Sequence, residues 1–227
     1  MNKPLIIFGT GKIAEIVSYY ATQECGFTVA AYTVDSAHKQ ADTFLGKPVI
    51  AFEELLAHYP AEQYAMFVAV GYHNLNKLRA EKCASVKAQG YQLISVVSPN
   101  AALAQNIVHG ENCFIMPPCI IHPCVQLGDN VFVWSGAMIG HHSVIADHCW
   151  FTSNCNIGGN VVMGQNCFVA LNATVSHSVR IGKLCFLGAN TLVTKNMEDD
   201  QVVIAESSKP IKLNSSQFLK FSSFSSQ

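Results

Sequence analysis

The second half of the sequence carries an apolar residue at every sixth position. From Leu103 to Val193 these positions are apolar throughout except at His109, and the residue that follows is often glycine. A period of six fits neither an α-helix, with about 3.6 residues per turn, nor the simple alternation of a strand. It fits a solenoid in which each hexad forms one flat side and a corner. Three hexads would close a triangular coil of about 18 residues, so the pattern predicts a β-helix of about five coils.

The first and fifth positions of each hexad are predicted to point into the coil. The fifth position holds six of the nine cysteines, which are Cys113, Cys119, Cys149, Cys155, Cys167 and Cys185. We expect these thiols to act as small buried hydrophobes and to have no redox or metal-binding role. The sequence contains no CxxC and no Cys/His block with zinc-ligand spacing, and the odd number of cysteines favours reduced thiols.

The first hundred residues show a different pattern, in which short apolar runs alternate with amphipathic stretches. Strands are predicted at residues 5–8, 29–32, 66–70 and 93–97, and helices directly after residue 11, near residues 52–58 and near residues 75–88. This alternation is typical of a short open α/β sheet. We therefore expect an α/β domain at residues 1–99, a β-helix at residues 100–204 and a C-terminal tail at residues 205–227.

A glycine turn, Gly9-Thr10-Gly11-Lys12, joins the first strand to the first helix. The turn matches G-x-G-x-x-A, and Asp35 follows the second strand at about the place where an acid would reach a ribose, which favours an NAD-binding domain. However, a domain of about 100 residues holds only one mononucleotide-binding half, whereas a dinucleotide normally needs two. A mononucleotide site and a turn that merely connects strand to helix are the other interpretations.

Composition and charge exclude some classes of function. Lys and Arg total 14 and Asp and Glu total 15, so there is no basic surplus for a nucleic-acid backbone. No apolar run approaches the roughly 20 residues that span a bilayer, and none resembles a secretory signal. We therefore expect no nucleic-acid partner, no membrane span and a cytoplasmic location.

Two adjacent histidines stand out within the repeat. His141 and His142 lie in one hexad whose inward positions are Ile139 and Ser143, so both imidazoles are predicted to point outward. Histidine is the side chain whose charge changes nearest neutral pH, which suits it to general acid–base catalysis. Outward histidines can equally be surface residues without a function, and the pattern alone does not separate the two interpretations.

The sequence resembles the hexapeptide acyltransferase superfamily in its repeat. With the glycine turn ahead of that repeat, it resembles in particular the bacterial nucleotide-sugar N-acetyltransferases. The resemblance implies a small Rossmann-like domain followed by a left-handed parallel β-helix, assembled as a homotrimer. The handedness comes from the resemblance, since the general rule for parallel crossovers gives the opposite hand. It further implies acetyl-CoA as acyl donor, a nucleotide-linked amino sugar as acceptor and a place in polysaccharide biosynthesis.

The same resemblance implies roles for individual residues. The phosphates would lie near Gly9, Thr10, Gly11 and Lys12. The base or ribose would lie near Asp35, and the sugar would lie near Gly71 and Tyr72. His141 would be the general base, with His142 in place of the acid that normally holds it. The amide of Gly159, one coil later, would contact the acyl carbonyl, and Trp150 and His177 would line the path of the donor. Trp150 could instead cover the seam between subunits. Lys12 and Ile13 depart from the family, whose members usually carry a second glycine and often a histidine there.

Three other functions are left open by the sequence. Transfer to a sugar hydroxyl would use the same base as transfer to an amine. A catalytically silent binding trimer is favoured by the lack of an acid beside His141. Metal-dependent hydration, as in the γ-class carbonic anhydrases, needs three zinc-binding histidines that include a pair five residues apart. The nearest spacings here are six and seven, from His142 and His141 to His148, so no metal is expected.

Overall fold

The computed structural model describes residues 3–221. The N-terminal part is an α/β sheet with helices, built from β1 (Leu5–Phe8), α1 (Lys12–Gln23), β2 (Val29–Val34), β3 (Thr43–Phe44), β4 (Lys47–Ala51), α2 (Leu55–His58), β5 (Ala65–Val68), α3 (Lys77–Ala88) and β6 (Gln92–Leu93). The sheet order is β3-β4-β2-β1-β5-β6. All neighbours are parallel except β3 and β4, which form an antiparallel pair. The order places the carboxyl ends of β1, β2 and β5 side by side.

The strand predicted at residues 93–97 is divided in the structure. Gln92–Leu93 belongs to the N-terminal sheet, whereas Val96–Val97 is the first strand of the β-helix, because its residues pair with Phe114 and Ile115. The β-helix thus begins four residues before the expected boundary at residue 100. The β3–β4 pair was not predicted: β3 has only two residues, and the apolar run Val49–Ala51 of β4 leads directly into the stretch predicted as a helix near residues 52–58.

The second half of the chain is a triangular parallel β-helix of two-residue strands. The first face contains β7 (Val96–Val97), β10 (Phe114–Ile115), β13 (Phe132–Val133), β16 (Trp150–Phe151), β19 (Phe168–Val169), β22 (Phe186–Leu187) and β24 (Val202–Val203). The second face contains β8 (Ala102–Leu103), β11 (Ile120–Ile121), β14 (Met138–Ile139), β17 (Asn156–Ile157), β20 (Thr174–Val175) and β23 (Leu192–Val193). The third face contains β9 (Val108–His109), β12 (Gln126–Leu127), β15 (Val144–Ile145), β18 (Val162–Met163) and β21 (Arg180–Ile181). Phe114 pairs with Phe132 and Phe132 with Trp150, so each coil is 18 residues long, as the repeat predicts.

The interior of the β-helix confirms the predicted inward positions. The six cysteines at the fifth hexad position are no more than 1% exposed, and all nine cysteines are free thiols. Burial raises the pKa of Cys113 to about 11 and that of Cys155 to about 12, which disfavours the reactive thiolate. These thiols therefore pack as small hydrophobes in a continuous core.

The N-terminal domain covers the first face of the β-helix. Outward aromatic side chains of that face, including Phe114, Phe132 and Trp150, form one hydrophobic cluster with Val17 of α1 and Phe67 of β5. The corner between the second and third faces is opposite this covered side of the triangle. It is therefore the part of each coil that lies farthest from the N-terminal domain of the same chain. A short exposed helix, α4 (Ser215–Phe221), follows the β-helix.

Candidate active site

His141 and His142 form an exposed turn between β14 and β15, at the corner between the second and third faces. Ser143 fixes this corner from the inside, because its Oγ donates to the Gly158 carbonyl at 3.1 Å and accepts from the Val161 amide at 3.1 Å. His142 has a φ of +59°, the left-handed conformation that the corner requires. Both imidazoles therefore point outward, as predicted.

The two imidazoles contact each other through their Nδ1 atoms, 3.1 Å apart. One Nδ1 must carry a proton and donate the hydrogen bond, and the other must accept that hydrogen bond. When the proton is on His141, Nε2 of His141 carries a free lone pair, and His142 holds the ring as a carboxylate would. This tautomer gives the corner an oriented base.

Gly159 lies one coil beyond His141, directly beside its ring. A Cβ at Gly159 would be 2.7 Å from Nε2 of His141, so only glycine leaves this imidazole in place. Across the described residues, the Gly159 amide has no hydrogen-bond acceptor. At the next corner of the coil, by contrast, the amides of Glu111 and Lys183 donate to aspartate side chains. The Gly159 amide is thus available to a ligand.

His177 continues the same column one coil further on. Its ring centroid is 6.0 Å from that of His141. The structure therefore brings together His141, His142, Gly159 and His177, four of the residues predicted from the sequence.

Trp150 lies elsewhere. Its side chain is only 2% exposed and stacks on Phe132, with ring centroids 4.9 Å apart, and on Trp134, at 5.6 Å. It belongs to the covered first face and not to the histidine corner. A side chain buried between the two domains does not fit the expected role along the donor path, nor that of a cover over a subunit seam.

A second candidate site is a cavity of about 760 Å³ at the carboxyl ends of β1, β2 and β5. It is lined by Phe8, Gly9, Gly11, Lys12, Ile13, Val34, Asp35, His38, Ala69, Val70, Gly71, His73, Leu78 and Lys82. Five of the seven residues predicted for substrate binding are in this set. The other two belong to the same loops but not to the lining. Of these, Tyr72 packs against Phe168, with ring centroids 4.7 Å apart.

The glycine turn opens the amino end of α1 to the cavity. Gly9 has a φ of +130°, and a Cβ there would be 3.0 Å from the Ala69 carbonyl, so the close approach of the two loops requires glycine. Gly11 precedes α1 without a side-chain cap, and no atom lies within 4 Å of the position of its Cβ. The first amides of a helix lack partners within the helix and attract anions. Together with Lys12, this end of α1 suits a phosphate.

Lys82 of α3 is a cavity residue that the sequence analysis missed. Its Nζ forms a 2.7 Å ion pair with Asp35, and both side chains are largely buried, at 21% and 25% exposed. His38 and His73 were missed as well. No motif marks these three positions, because only the packing of α3 and the two loops brings them to the cavity.

Two negative findings apply to residues 3–221. No group of three or more His, Cys, Asp or Glu side chains is arranged to hold a metal ion. No helix in this range has the length and apolar character needed to cross a membrane.

The comparisons with known proteins agree with this fold. Residues 106–141 match the family described as bacterial transferase hexapeptide (six repeats), and residues 161–195 match the hexapeptide repeat of succinyl-transferase. The comparison with curated proteins found no match.

Several solved structures match nearly the whole chain. The acetyltransferase domain of PglB from Neisseria gonorrhoeae, in complex with acetyl coenzyme A, is 22% identical with a TM-score of 0.81, over 93% of this chain and 100% of that one. PerB from Caulobacter crescentus, in complex with CoA and GDP-perosamine, is 24% identical with a TM-score of 0.70, over 90% and 95%. WeeI from Acinetobacter baumannii is 19% identical with a TM-score of 0.66, over 90% and 97%. The predicted α/β domain followed by a left-handed β-helix is confirmed, and so is the resemblance to hexapeptide-repeat acetyltransferases. The chain carries the hexapeptide repeat of the bacterial transferases, and its fold is similar to those of the PglB acetyltransferase domain and of PerB.

Proposed function

We propose that this chain transfers the acetyl group of acetyl-CoA to the amine of an amino sugar carried on a nucleoside diphosphate. One observation carries the proposal: the free Nε2 of His141 lies beside the open amide of Gly159. A base and a hydrogen-bond donor at one point are what acyl transfer needs. The acetyl-CoA bound to PglB, and the CoA and GDP-perosamine bound to PerB, support the choice of donor and acceptor.

The chemistry requires one proton transfer and one stabilised oxyanion. The sugar nitrogen attacks the thioester carbon and forms the C–N bond, while His141 Nε2 takes the proton that the amine loses. The Gly159 amide donates to the oxygen on which negative charge develops. The C–S bond then breaks, and the proton passes from His141 to the sulfur, so the products are the N-acetyl sugar and CoA with a free thiol.

His142 takes the place of a carboxylate in this scheme. Its Nδ1 accepts a hydrogen bond from the protonated Nδ1 of His141 and so favours the tautomer in which Nε2 of His141 is the base. A neutral imidazole stabilises the imidazolium less than a carboxylate does, because it carries no negative charge. We therefore assign His142 an orienting role and His141 the proton transfer.

The cavity of the N-terminal domain is proposed to hold the nucleotide. The amino end of α1, Lys12 and Lys82 supply positive potential for the phosphates, and Asp35 can accept hydrogen bonds from a ribose or base. Gly71 also lines the cavity, and we assign it to the sugar. We also propose a cytoplasmic location and a role in polysaccharide biosynthesis.

A complete site requires a second copy of the chain. The N-terminal domain covers the first face, whereas His141 lies at the opposite corner of the triangle. A sugar bound in the cavity can meet His141 only if the cavity of one chain faces the histidine corner of another. A trimer around a threefold axis is the arrangement we propose, since it joins each cavity to a neighbouring corner.

Mixed assemblies test this shared site. Gly11→Val should block the cavity, and His141→Ala should remove the base, so each variant alone should be nearly inactive at low acceptor concentration. Mixed trimers of the two should recover activity, because some sites combine an intact cavity with an intact His141. Mixed trimers, verified by native mass spectrometry, that stay inactive would contradict the shared site.

An acceptor screen tests the function itself. The purified chain is mixed with acetyl-CoA and with UDP-, GDP- or dTDP-linked amino sugars, and the released CoA thiol is measured. We expect release with at least one amino sugar and none with the matched sugar that carries a hydroxyl in place of the amine. Release with the hydroxyl sugar would favour O-acetylation. No thiol release with any of the sugars would favour the catalytically silent trimer.

A further inference from the structure

Arg79 is a buried cation that the proposed reaction does not use. Its side chain is 0% exposed. Its Nε donates to Asn130 Oδ1 at 2.8 Å, its Nη1 to Asn76 Oδ1 at 3.0 Å, and its Nη2 to the carbonyls of Asn130 and His148 at 3.2 and 3.4 Å. Within residues 3–221, none of these acceptors is a carboxylate. All four of its hydrogen bonds therefore go to neutral acceptors.

The guanidinium joins the two domains. It extends from α3 and lies over the rings of Phe132 and Trp150 on the first face, 4.3 and 5.0 Å from their centroids. Burial lowers its pKa to about 9. A buried charge without a counterion is unfavourable, and an apolar side chain could fill such a space at a lower cost. What Arg79 adds, beyond the volume that it fills, is a set of directed hydrogen bonds across the interface.

These hydrogen bonds fix a strained loop in front of α3. Three consecutive residues there have positive φ, namely Asn74 (50°), Leu75 (48°) and Asn76 (64°). Such a run is unfavourable for non-glycine residues and persists only where the surroundings determine it. The β-helix supplies the surroundings: Asn166 Nδ2 donates to the Leu75 carbonyl at 3.0 Å, and Asn76 Nδ2 donates to the Cys167 carbonyl at 3.2 Å. Arg79 completes the set by donating to Asn76 Oδ1.

The same loop and helix form one wall of the cavity. Gly71 and His73 line it just before the strained residues, and Leu78 and Lys82 line it just after them. Lys82, one turn beyond Arg79 on α3, forms the ion pair with Asp35 across the cavity. The position of this wall is therefore set by contacts to the β-helix, on the side of α3 away from the ligand.

We propose that Arg79 is a positioning residue for nucleotide binding. It acts through Asn76 and α3, and it holds His73 and Lys82 in place against the first face of the β-helix. This inference rests on the proposed function, because it takes the cavity to be the nucleotide site.

Titration calorimetry with UDP, GDP and CoA as probes tests the inference. Arg79→Met keeps the packing against the rings but removes the directed hydrogen bonds. We expect the nucleotide Kd to rise by about tenfold or more, which corresponds to the loss of one hydrogen bond to a charged group. The Kd for CoA should stay unchanged. Arg79→Lys, which keeps the charge but not the fork of donors, should recover only part of the affinity.

Lys87→Met is the matched control on the same helix. It removes the half-exposed ion pairs of α3 with Glu111 and Asp129 and should leave both Kd values unchanged. If Arg79→Met does not fold, Asn166→Gly replaces it, since glycine tolerates the φ of +62° at Asn166 and the change removes the side-chain hydrogen bond to the Leu75 carbonyl; we expect a smaller rise in the nucleotide Kd.

The outcomes separate this inference from the proposed function. Wild-type nucleotide affinity in Arg79→Met, or an equal loss of nucleotide and CoA affinity, would overturn the role of Arg79 and leave the proposed function standing. A wild-type chain that binds CoA but neither UDP nor GDP would overturn the nucleotide site, and this inference with it.

Discussion

Gly159→Ala should displace the proposed base without harming the fold. The new Cβ would be 2.7 Å from Nε2 of His141, 2.8 Å from its Cε1 and 3.1 Å from its Cδ2. Ordinary contacts of this kind are about 3.5 Å, so the ring must retreat by about 0.8 Å. The ring is exposed and can move, so the free energy of unfolding should change little. Replacing a glycine whose conformation other residues can adopt often stabilises a protein by about 0.4–1 kcal/mol.

Turnover should fall much more than stability. A misplacement of about 1 Å can cost about 100-fold in rate, so we expect kcat to fall by between about tenfold and about 100-fold. That corresponds to about 1.4–2.7 kcal/mol in the activation barrier. The assay is CoA thiol release with saturating acceptor, together with thermal unfolding of the same preparation.

A double-mutant cycle with His141→Ala identifies the cause. Without the imidazole, the added methyl group has nothing to displace, so Gly159→Ala should cost little further rate in that background. Gly158→Ala is a stability control. Its Cβ would be 2.6 Å from the backbone nitrogen of His177, and because backbone cannot easily move away, this variant should have a lower Tm. Near wild-type turnover of Gly159→Ala would refute the argument, as would an equal loss of rate in the His141→Ala background.

Three further predictions concern neighbouring features. His142→Asn, which tolerates a positive φ and keeps an acceptor, should retain most activity, whereas His142→Ala should lose about tenfold; equal kcat values for the two would refute the orienting role. Burial lowers the pKa of His148. Nδ1 of His148 accepts a hydrogen bond from the Asn130 amide, so this nitrogen carries no proton in the folded chain. As the pH drops, His148 becomes protonated in the unfolded chain at a higher pH than in the folded chain. The free energy of unfolding should therefore fall as the pH drops from about 6.5 towards the lowered pKa. His148→Asn, which matches its neighbours in the corner, should reduce that fall in urea titrations across this range, and an unchanged slope would contradict it. Gly11→Val should raise the KM for the nucleotide sugar without changing CoA affinity, because Gly11 lines the cavity and a Cβ there would have no protein atom within 4 Å; a loss of CoA affinity instead would invert the assignment of the two ligands.

The sequence predicted the β-helix well because its core repeats with a fixed period. Two residues in every six face the same interior, so the register of every coil, including the outward position of His141, follows from the positions of Ile139 and Ser143. The same period places Gly159 and His177 in the column of His141, since one coil adds 18 residues, whereas their proposed roles came from the resemblance to the acetyltransferases.

The contacts between the domains could not be predicted in this way. Trp150 occupies an outward position, and the period does not indicate whether an outward side chain meets solvent, ligand or another domain. Lys82 and Arg79 lie on a helix that contacts both the cavity and the β-helix. The sequence of this helix does not show which of its faces contacts the cavity and which contacts the β-helix. The β3–β4 pair was missed because β3 has only two residues and the short apolar run of β4 leads directly into the helix predicted near residues 52–58.

The turnover of His141→Ala tests the central claim most directly. With acetyl-CoA and an accepted amino sugar, thiol release should be slower than in the wild type by about two to four orders of magnitude. CoA affinity and Tm should stay the same, because the imidazole is exposed and takes no part in the core. Near wild-type turnover in His141→Ala would show that the amine reacts without this base and would contradict the proposed mechanism.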